Sequence, residues 1–153
     1  MVSVAYSDTG ALLKQYVTET GSDWIRAYLA ASPAVFASSL TAVEATCAFA
    51  RRLREGTLTP ILHATVVRAF DYDIAYRYYL LDVVTTTVET ARRLATDHAL
   101  RAYDAVQLAT AYLLNQELRG SNQDLLTFIC ADDRLLAVAQ AEGLLTDNPN
   151  HHP

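Results

Sequence analysis

The sequence has little of what builds a disulfide framework, a zinc site or a membrane span. It contains two cysteines, Cys47 and Cys130, and only four histidines, too few for a disulfide network or an imidazole-rich zinc site. We expect both cysteines to be small buried residues with reduced thiols. No apolar run approaches the ~20 residues that a membrane helix needs, and the first residues lack the basic start of a secretory signal. These absences predict a cytoplasmic protein with no membrane segment.

Basic residues are also in the minority. The chain has 12 Lys and Arg against 17 Asp and Glu, for a net charge of −5, whereas nucleic-acid-binding domains usually carry a basic patch. If several acids gather around cations in one pocket, however, the remaining surface is close to neutral, so the net charge does not exclude RNA. Hydrophobic residues make up 52% of 153 residues, which predicts a folded chain with a substantial core.

Apolar strand-like runs alternate with helical segments along the chain, the pattern of an α/β fold with a mostly parallel sheet. The predicted strands are 2–7, 34–38, 81–85 and 124–131, with a short last strand at 144–145. The predicted helices are 10–17, 22–31, 41–56, 60–79, 87–98, 104–118 and 133–142. No linker or repeat interrupts this order, so residues 1–153 are predicted to form a single domain, with about 146–153 as a flexible tail.

Four acids stand at the ends or starts of these apolar elements: Asp8, Glu44, Asp104 and Asp132. A buried charge is costly unless it is paired or bound to a metal. In open parallel sheets, sites form outside the carboxyl ends of the strands, and two of these acids directly follow predicted strands. The positions therefore favour a shared cation at one rim of the sheet.

Each of the four acids also has a purely structural alternative. The first, third and fourth stand where each could be only a helix N-cap, worth ~1 kcal/mol. Asp133 offers a second cap for the last helix. Glu44 follows Thr41 by three residues, which is the spacing of a capping box. Taken singly each signal is weak, and their joint occurrence at the ends of core elements carries the metal-site hypothesis.

Four short motifs occur in order along the chain. They are Tyr-Ser-Asp-Thr-Gly-Ala-Leu at 6–12, Ser-Ser-Leu-Thr-Ala-Val-Glu at 38–44, Leu-Arg-Ala-Tyr-Asp-Ala-Val-Gln-Leu-Ala at 100–109 and Ala-Asp-Asp-Arg-Leu-Leu-Ala-Val-Ala at 131–139. Shorter matches follow at 142–144 and 148–149. In this order and spacing the chain resembles, from end to end, PIN-domain proteins of the VapC toxin type.

The resemblance implies a three-layer α/β/α sandwich with a mostly parallel central sheet. It also implies a divalent-metal-dependent endoribonuclease, the toxin of a type II toxin–antitoxin system, with a cognate antitoxin and a homodimeric state. By matching position the metal-binding and catalytic acids would be Asp8, Glu44, Asp104 and Asp132. The last is preferred to its neighbour Asp133 because the family's acid directly follows the small residue that ends the strand. Cys130 stands where the family often has Ser or Thr, so the sequence does not decide whether this position supplies a polar contact in the pocket.

The chemistry of the residues agrees with this class of enzyme. Mg²⁺ and Mn²⁺ prefer carboxylate and water oxygens, and such an ion activates water for in-line attack on phosphorus while a second ion stabilises the leaving oxygen. The first three acids would supply most ligands, and Asp132 would bind the second ion or position the attacking water. The substrate would be RNA, with tRNA among the candidates.

Three further residues are candidates for contacts with the substrate. Thr9 could hydrogen-bond a carboxylate or a phosphate oxygen, or only help to start its helix. Arg101 is the leading candidate for a phosphate contact, with Lys14 second; alternatively, Arg101 pairs with a carboxylate. The tyrosine-rich segment 70–79 is typical of a protein interface, a base-stacking surface or the packed side of one long helix.

Two other classes of function stay open at this point. A non-catalytic module could keep the fold and bind a protein partner through its acidic groove, although such a module would have no reason to retain four acids. A phosphatase could use Asp8 as its nucleophile, but it would need a second Asp two residues later, where Gly10 stands.

Overall fold

The computed structural model describes residues 3–123 and 125–153. Val2 and Asp124, which the sequence assigns to the first and fourth strands, lie outside the described residues. The elements follow in the order β1 Val4–Ser7, α1 Thr9–Leu13, α2 Ser22–Ala31, β2 Val35–Ser38, α3 Leu40–Arg54, α4 Pro60–Tyr76, β3 Tyr78–Leu81, α5 Thr85–Asp97, α6 Ala102–Gly120, β4 Leu126–Ile129, α7 Asp133–Ala141, β5 Leu145–Asp147 and a 3₁₀ turn, Pro149–His151.

Five parallel strands form one sheet in the order β3-β2-β1-β4-β5. The central strands β1 and β4 are buried along their whole length, as expected for parallel strands that are covered on both faces. The chain leaves β1 towards β2 on one side and later returns through β4 on the other. The order of the strands therefore reverses beside β1, which is where open α/β sheets form their sites.

Alternate residues of β1 point into two separate cores. Ala5 belongs to a core with α1, α2, α3 and α4 on one face of the sheet. Val4 and Tyr6 belong to a second core with α5, α6 and α7 on the other face. Helices thus cover both faces, and the predicted three-layer α/β/α sandwich is confirmed.

Most predicted elements are present, but two boundaries are wrong. The first helix ends at Leu13 rather than continuing to residue 17, since turns follow it. The third strand occupies Tyr78–Leu81 instead of 81–85, and the helix before it ends at Tyr76. The tyrosines at 78 and 79 thus belong to a strand rather than to the long helix.

The predicted flexible tail, 146–153, is packed in place. The end of β5 and the 3₁₀ turn lie there, and the ring of His152 stacks on Trp24 with centroids 4.3 Å apart. His152 Nε2 also lies 2.8 Å from a carboxylate oxygen of Asp147. Stacking and hydrogen bonds therefore fasten this segment to α2 and β5.

Among the described residues, no helix is both long and apolar enough to cross a membrane.

Gly21, which precedes α2, is where the packed C-terminal turn comes closest to the chain. Its φ is +83°, and a Cβ atom there would overlap the carbonyl oxygen of Pro149. We expect Gly21→Ala to lower the free energy of unfolding by about 2–4 kcal/mol, from left-handed strain and overlap together. Urea denaturation measures this loss.

Gly56 provides the matched control for this substitution. Its φ is +76°, but a Cβ atom there would meet nothing within 4 Å, so Gly56→Ala should lose only the strain, about 1 kcal/mol. Equal losses in the two variants would show that the contact with Pro149 contributes nothing.

Candidate metal centre and its surroundings

The ends of β1 and β4 lie side by side and carry the first and last of the four acids. Asp8 directly follows β1, and its backbone N–H donates to the carbonyl of Ile129, the last residue of β4, at 3.0 Å. Asp132 comes three residues after that carbonyl. The parallel pairing of the two strands therefore brings residues 124 positions apart in sequence to one edge of the sheet.

Both carboxylate oxygens of Asp8 accept hydrogen bonds. Oδ1 accepts from the backbone N–H of Ala11 at 2.8 Å, so Asp8 is the N-cap of α1. Oδ2 accepts from the thiol of Cys130 at 2.9 Å. Burial raises the pKa of that thiol, which keeps its proton available for donation. Cys130 is buried as predicted, and it supplies the polar contact that the sequence left open at this position.

Glu44 is held by side chains from two other elements, α1 and α6. Its Oε1 accepts from the amide of Gln107 at 2.9 Å and from the hydroxyl of Thr9 at 3.1 Å. The same amide lies 3.2 Å from the hydroxyls of Thr9 and Thr41, and Gln107 Oε1 accepts from the hydroxyl of Tyr6 at 2.7 Å. Because a carboxylate can only accept, the amide nitrogen of Gln107 faces Glu44, and the amide oxygen accepts from Tyr6.

The capping box predicted for Thr41 and Glu44 is wrong. Helix α3 begins at Leu40, its N-cap is Ser39, and no side chain caps it. Glu44 therefore lies in the second turn, where its carboxylate has no free backbone N–H of the helix to accept from. Both residues instead form hydrogen bonds with side chains that are distant in sequence.

Asp104 and Asp132 lie on one wall of a cavity of ≈ 580 Å³. Asp104 is the third residue of α6, whose N-cap is Arg101, so the prediction that Asp104 caps this helix is wrong. Asp132 is the N-cap of α7 and accepts from the backbone N–H of Arg134 at 2.9 Å. Its neighbour Asp133 accepts from Asn148 at 2.7 Å and so belongs to the C-terminal turn rather than to the cavity.

The four acids are electrostatic neighbours. The pKa of Asp8 is raised to about 6, chiefly by burial and also by the nearby charges of Asp104 and Glu44, against two opposing hydrogen bonds. Burial likewise raises the pKa of Asp104, with Asp132 adding to the effect and Arg101 opposing it. Crowded carboxylates of this kind resist ionisation until a cation neutralises them.

The donor chemistry of the site fits a hard divalent cation. Its acids provide oxygen ligands only, which suits Mg²⁺ or Mn²⁺. Within 3–123 and 125–153, no group of three His, Cys, Asp or Glu side chains already stands close enough to hold one ion. An ion would therefore draw the carboxylates together from their present positions.

Two predicted side chains have other surroundings than expected. Lys14 is buried, and its ammonium donates to Glu19 Oε1 at 3.1 Å and to the carbonyl of Thr20 at 3.0 Å. It is therefore tied to its own loop and is not placed to bind a phosphate. Cys47 is exposed on α3, which corrects the prediction that both cysteines are buried. Arg101 is exposed at the rim of the cavity, as a phosphate ligand would need to be.

The PIN domain family model matches residues 5–143, so the chain belongs to the PIN domain family. The family predicted from the four motifs is confirmed. PIN domains are generally nucleases. No curated protein sequence matches the chain.

Several solved structures share the fold at low sequence identity. VapBC2 from Rickettsia felis, bound to a DNA fragment from their promoter, is 10% identical with a TM-score of 0.62, covering 95% of this chain and 98% of that one. A toxin–antitoxin complex from Klebsiella pneumoniae is 18% identical with a TM-score of 0.61, covering 95% and 97%. PAE2754 from Pyrobaculum aerophilum is 18% identical with a TM-score of 0.64, covering 95% and 85%.

Proposed function

We propose that the protein is a Mg²⁺- or Mn²⁺-dependent endoribonuclease of the VapC type, the toxin of a type II toxin–antitoxin system. The observation that carries the proposal is that Asp8 and Asp132 follow neighbouring parallel strands at one edge of the sheet, with the charges of Glu44 and Asp104 near Asp8, in a chain that belongs to the PIN family. Crowded, partly buried carboxylates are an unfavourable arrangement that a cation relieves.

The side chains have distinct roles in this proposal. Asp8, Glu44 and Asp104 would hold a cation, and Asp132 would hold a second one or orient the attacking water. A divalent cation bound there lowers the pKa of a water molecule and stabilises the charge that develops on the leaving oxygen. Thr9 keeps one Glu44 oxygen engaged, which leaves the other oxygen for the site.

The substrate and the protein partners are part of the same proposal. Arg101 supplies a cationic contact for a phosphate of RNA, tRNA among the candidates, and such a substrate locates the activity in the cytoplasm. The toxin–antitoxin neighbours support a cognate antitoxin, and apolar side chains exposed on and beside α3 and α4 support an interface with it or with a second copy. These side chains are Val43, Ile61, Leu62, Tyr72, Tyr76 and Tyr79.

One observation favours a second candidate, a non-catalytic PIN-like module that binds a protein partner through its acidic groove. Among the described residues, no three potential ligands are preassembled around a common point. Metal binding separates the two candidates only in part, because an acidic groove also attracts cations. Turnover separates them fully.

The deciding experiment is cleavage of a mixed pool of tRNA and structured RNA with Mg²⁺ or Mn²⁺. Wild type is compared with an EDTA control, with Asp104→Asn and with Asp71→Asn, a matched change at an exposed site on α4. The nuclease predicts cleavage by wild type and Asp71→Asn, and its loss in EDTA and in Asp104→Asn. Identical traces for all samples would support the binding module.

The same variant tests whether Asp104 serves the metal rather than the helix. Without metal, we expect Asp104→Asn to leave thermal stability unchanged or slightly raised, because relief from burial and from Asp132 offsets the lost helix-dipole interaction of about 0.5 kcal/mol. Its Mn²⁺ affinity should fall by about 10-fold or more. Thermal unfolding with and without Mn²⁺ measures both effects, and a clear loss of stability in metal-free buffer would assign Asp104 a structural role.

A further inference from the structure

The cavity beside Asp104 and Asp132 lies between the segment that joins α5 to α6 and the first turns of α7. Its volume of ≈ 580 Å³ falls within the ~300–1,000 Å³ range of pockets that bind small organic groups. Since two of the four acids form its wall, whatever occupies the cavity lies next to the candidate metal centre.

Two guanidinium groups lie at the rim of this cavity. Arg101 and Arg134 are both exposed, and Arg134 Nε lies 4.0 Å from Asp132 Oδ1, with 86% of the arginine side chain accessible. Exposed ion pairs at such a distance are weak, so the guanidinium can turn to a phosphate at little cost. Asp97, the third acid that lines the cavity, is paired with Arg93 at 3.4 Å. The charges of Arg101 and Arg134 therefore offset those of Asp104 and Asp132 for an approaching phosphate.

Apolar side chains form the inner part of the cavity. Leu135 is buried there, and Leu100 and Val138 are half-buried and pack against the core of α5, α6 and α7. A phosphate or a sugar alone would make no favourable contact with this apolar surface. A nucleobase would, because its faces are apolar.

We propose that this cavity binds one unpaired nucleotide next to the scissile phosphate, with its base against Leu100 and Val138 and its phosphate on Arg101 and Arg134. The proposal rests on the proposed function, since it places this nucleotide relative to the same acids. A base within a duplex is stacked and paired and could enter only after it is extruded. The cavity therefore selects single strands, loops or bulges.

The test separates the contribution of the base from that of the phosphates. Fluorescence anisotropy gives the affinity for a labelled single-stranded RNA octamer and for an octamer of abasic ribose phosphates, which has the same charge. Ca²⁺ replaces Mg²⁺, and a gel afterwards verifies that the strands are intact. Wild type should bind the base-bearing octamer about 10-fold more tightly, as one stacked base allows.

Two substitutions should act in different ways. Val138→Gln removes apolar surface from the cavity and should reduce the 10-fold preference for bases to about 2-fold. Arg134→Gln should weaken binding of both octamers equally and reduce the salt slope by about 0.7, the loss of one phosphate contact. Matched controls on α4 are Val67→Gln, which is also half-buried, and Arg68→Gln, which is also exposed. Both should behave as wild type.

The outcomes distinguish this proposal from the nuclease itself. No preference for bases in wild type, or an unchanged preference in Val138→Gln, would overturn the nucleotide site even if the protein cleaves RNA. A base preference that Val138→Gln removes would support the site even in a protein that cleaves nothing. Mn²⁺ titration of each variant, expected within 2-fold of wild type, ensures that the acids and the fold are intact.

Discussion

Replacing Asp8 with Asn is expected to reduce metal-dependent RNA cleavage by about 100-fold or more and, above pH 6, to make the metal-free protein more stable. Loss of a residue that only orients a metal ligand lowers activity by about 10- to 100-fold, so the loss of a ligand should reach at least the upper end. Asn retains an oxygen that can accept from Ala11 or Cys130, which preserves the helix cap. Cleavage assays and urea denaturation measure the two effects.

The gain in stability depends on pH in a defined direction. The pKa of Asp8 is raised from 3.8 to about 6 in the folded protein. Below pH 3.8 the carboxyl is protonated in both states and contributes nothing. Between pH 3.8 and 6 the folded protein holds a proton that the unfolded chain has lost, so the free energy of unfolding falls as pH rises. Above pH 6 the full penalty applies, about 3 kcal/mol at most.

Comparing the free energy of unfolding at pH 4 and at pH 8 therefore tests whether the charge of Asp8 causes the gain in stability. The free energy of unfolding of Asp8→Asn should equal that of wild type near pH 4 and exceed it at pH 8. That of Asp71→Asn should equal that of wild type at both pH values. The added stability should disappear when wild type is saturated with Mn²⁺, because the ion then neutralises the charge. Equal stability of Asp8→Asn and wild type at pH 8 without metal would mean that the carboxylate is not held in an unfavourable site.

The layers of the fold follow from patterns that are local in sequence. The strands at 4–7 and 126–129 lie in mostly apolar runs that end at Asp8 and Asp132, so their burial could be predicted from composition alone. The boundary between α4 and β3 could not. No Gly or Pro marks it, and the tyrosines on both sides suit a helix as well as a strand. Packing against β2 determines where α4 ends and β3 begins.

The candidate site shows the same division between local and distant information. Thr41 and Glu44 have the local spacing of a capping box, yet their partners Thr9 and Gln107 come from other elements. Only the tertiary structure shows that these distant hydrogen bonds replace the local capping box. One signal for Gln107 was present: it is one of three polar residues, with Thr110 and Asn115, on the buried side of α6. A buried amide needs partners, and here they are the side chains around Glu44.

Gln107→Leu is expected to lower the free energy of unfolding by about 2–4 kcal/mol and the Mn²⁺ affinity by about 10-fold. Both Gln107 and Tyr6 are buried, so the substitution leaves the tyrosine hydroxyl without its acceptor and Glu44 without its nearest donor. Glu44 then keeps only its hydrogen bond from Thr9 and is held less firmly towards the other acids. Urea denaturation and calorimetric titration with Mn²⁺ measure the two losses separately.

A second substitution separates packing from orientation. Tyr6→Phe removes the hydroxyl that Gln107→Leu leaves unpartnered, and replacing both partners of a buried hydrogen bond is less costly than replacing one. The double variant should therefore recover about 1 kcal/mol relative to Gln107→Leu. It should not recover Mn²⁺ affinity, because Glu44 Oε1 still lacks its shorter hydrogen bond, the one from Gln107, and keeps only that from Thr9.

The two readouts give opposite answers for the two roles of Gln107. If the amide only fills and satisfies the core, metal affinity should rise together with stability in the double variant. If it holds Glu44 towards the other acids, stability returns alone. Joint recovery would thus contradict the positioning role, and it would mean that the carboxylate of Glu44 binds the ion without the hydrogen bond from Gln107.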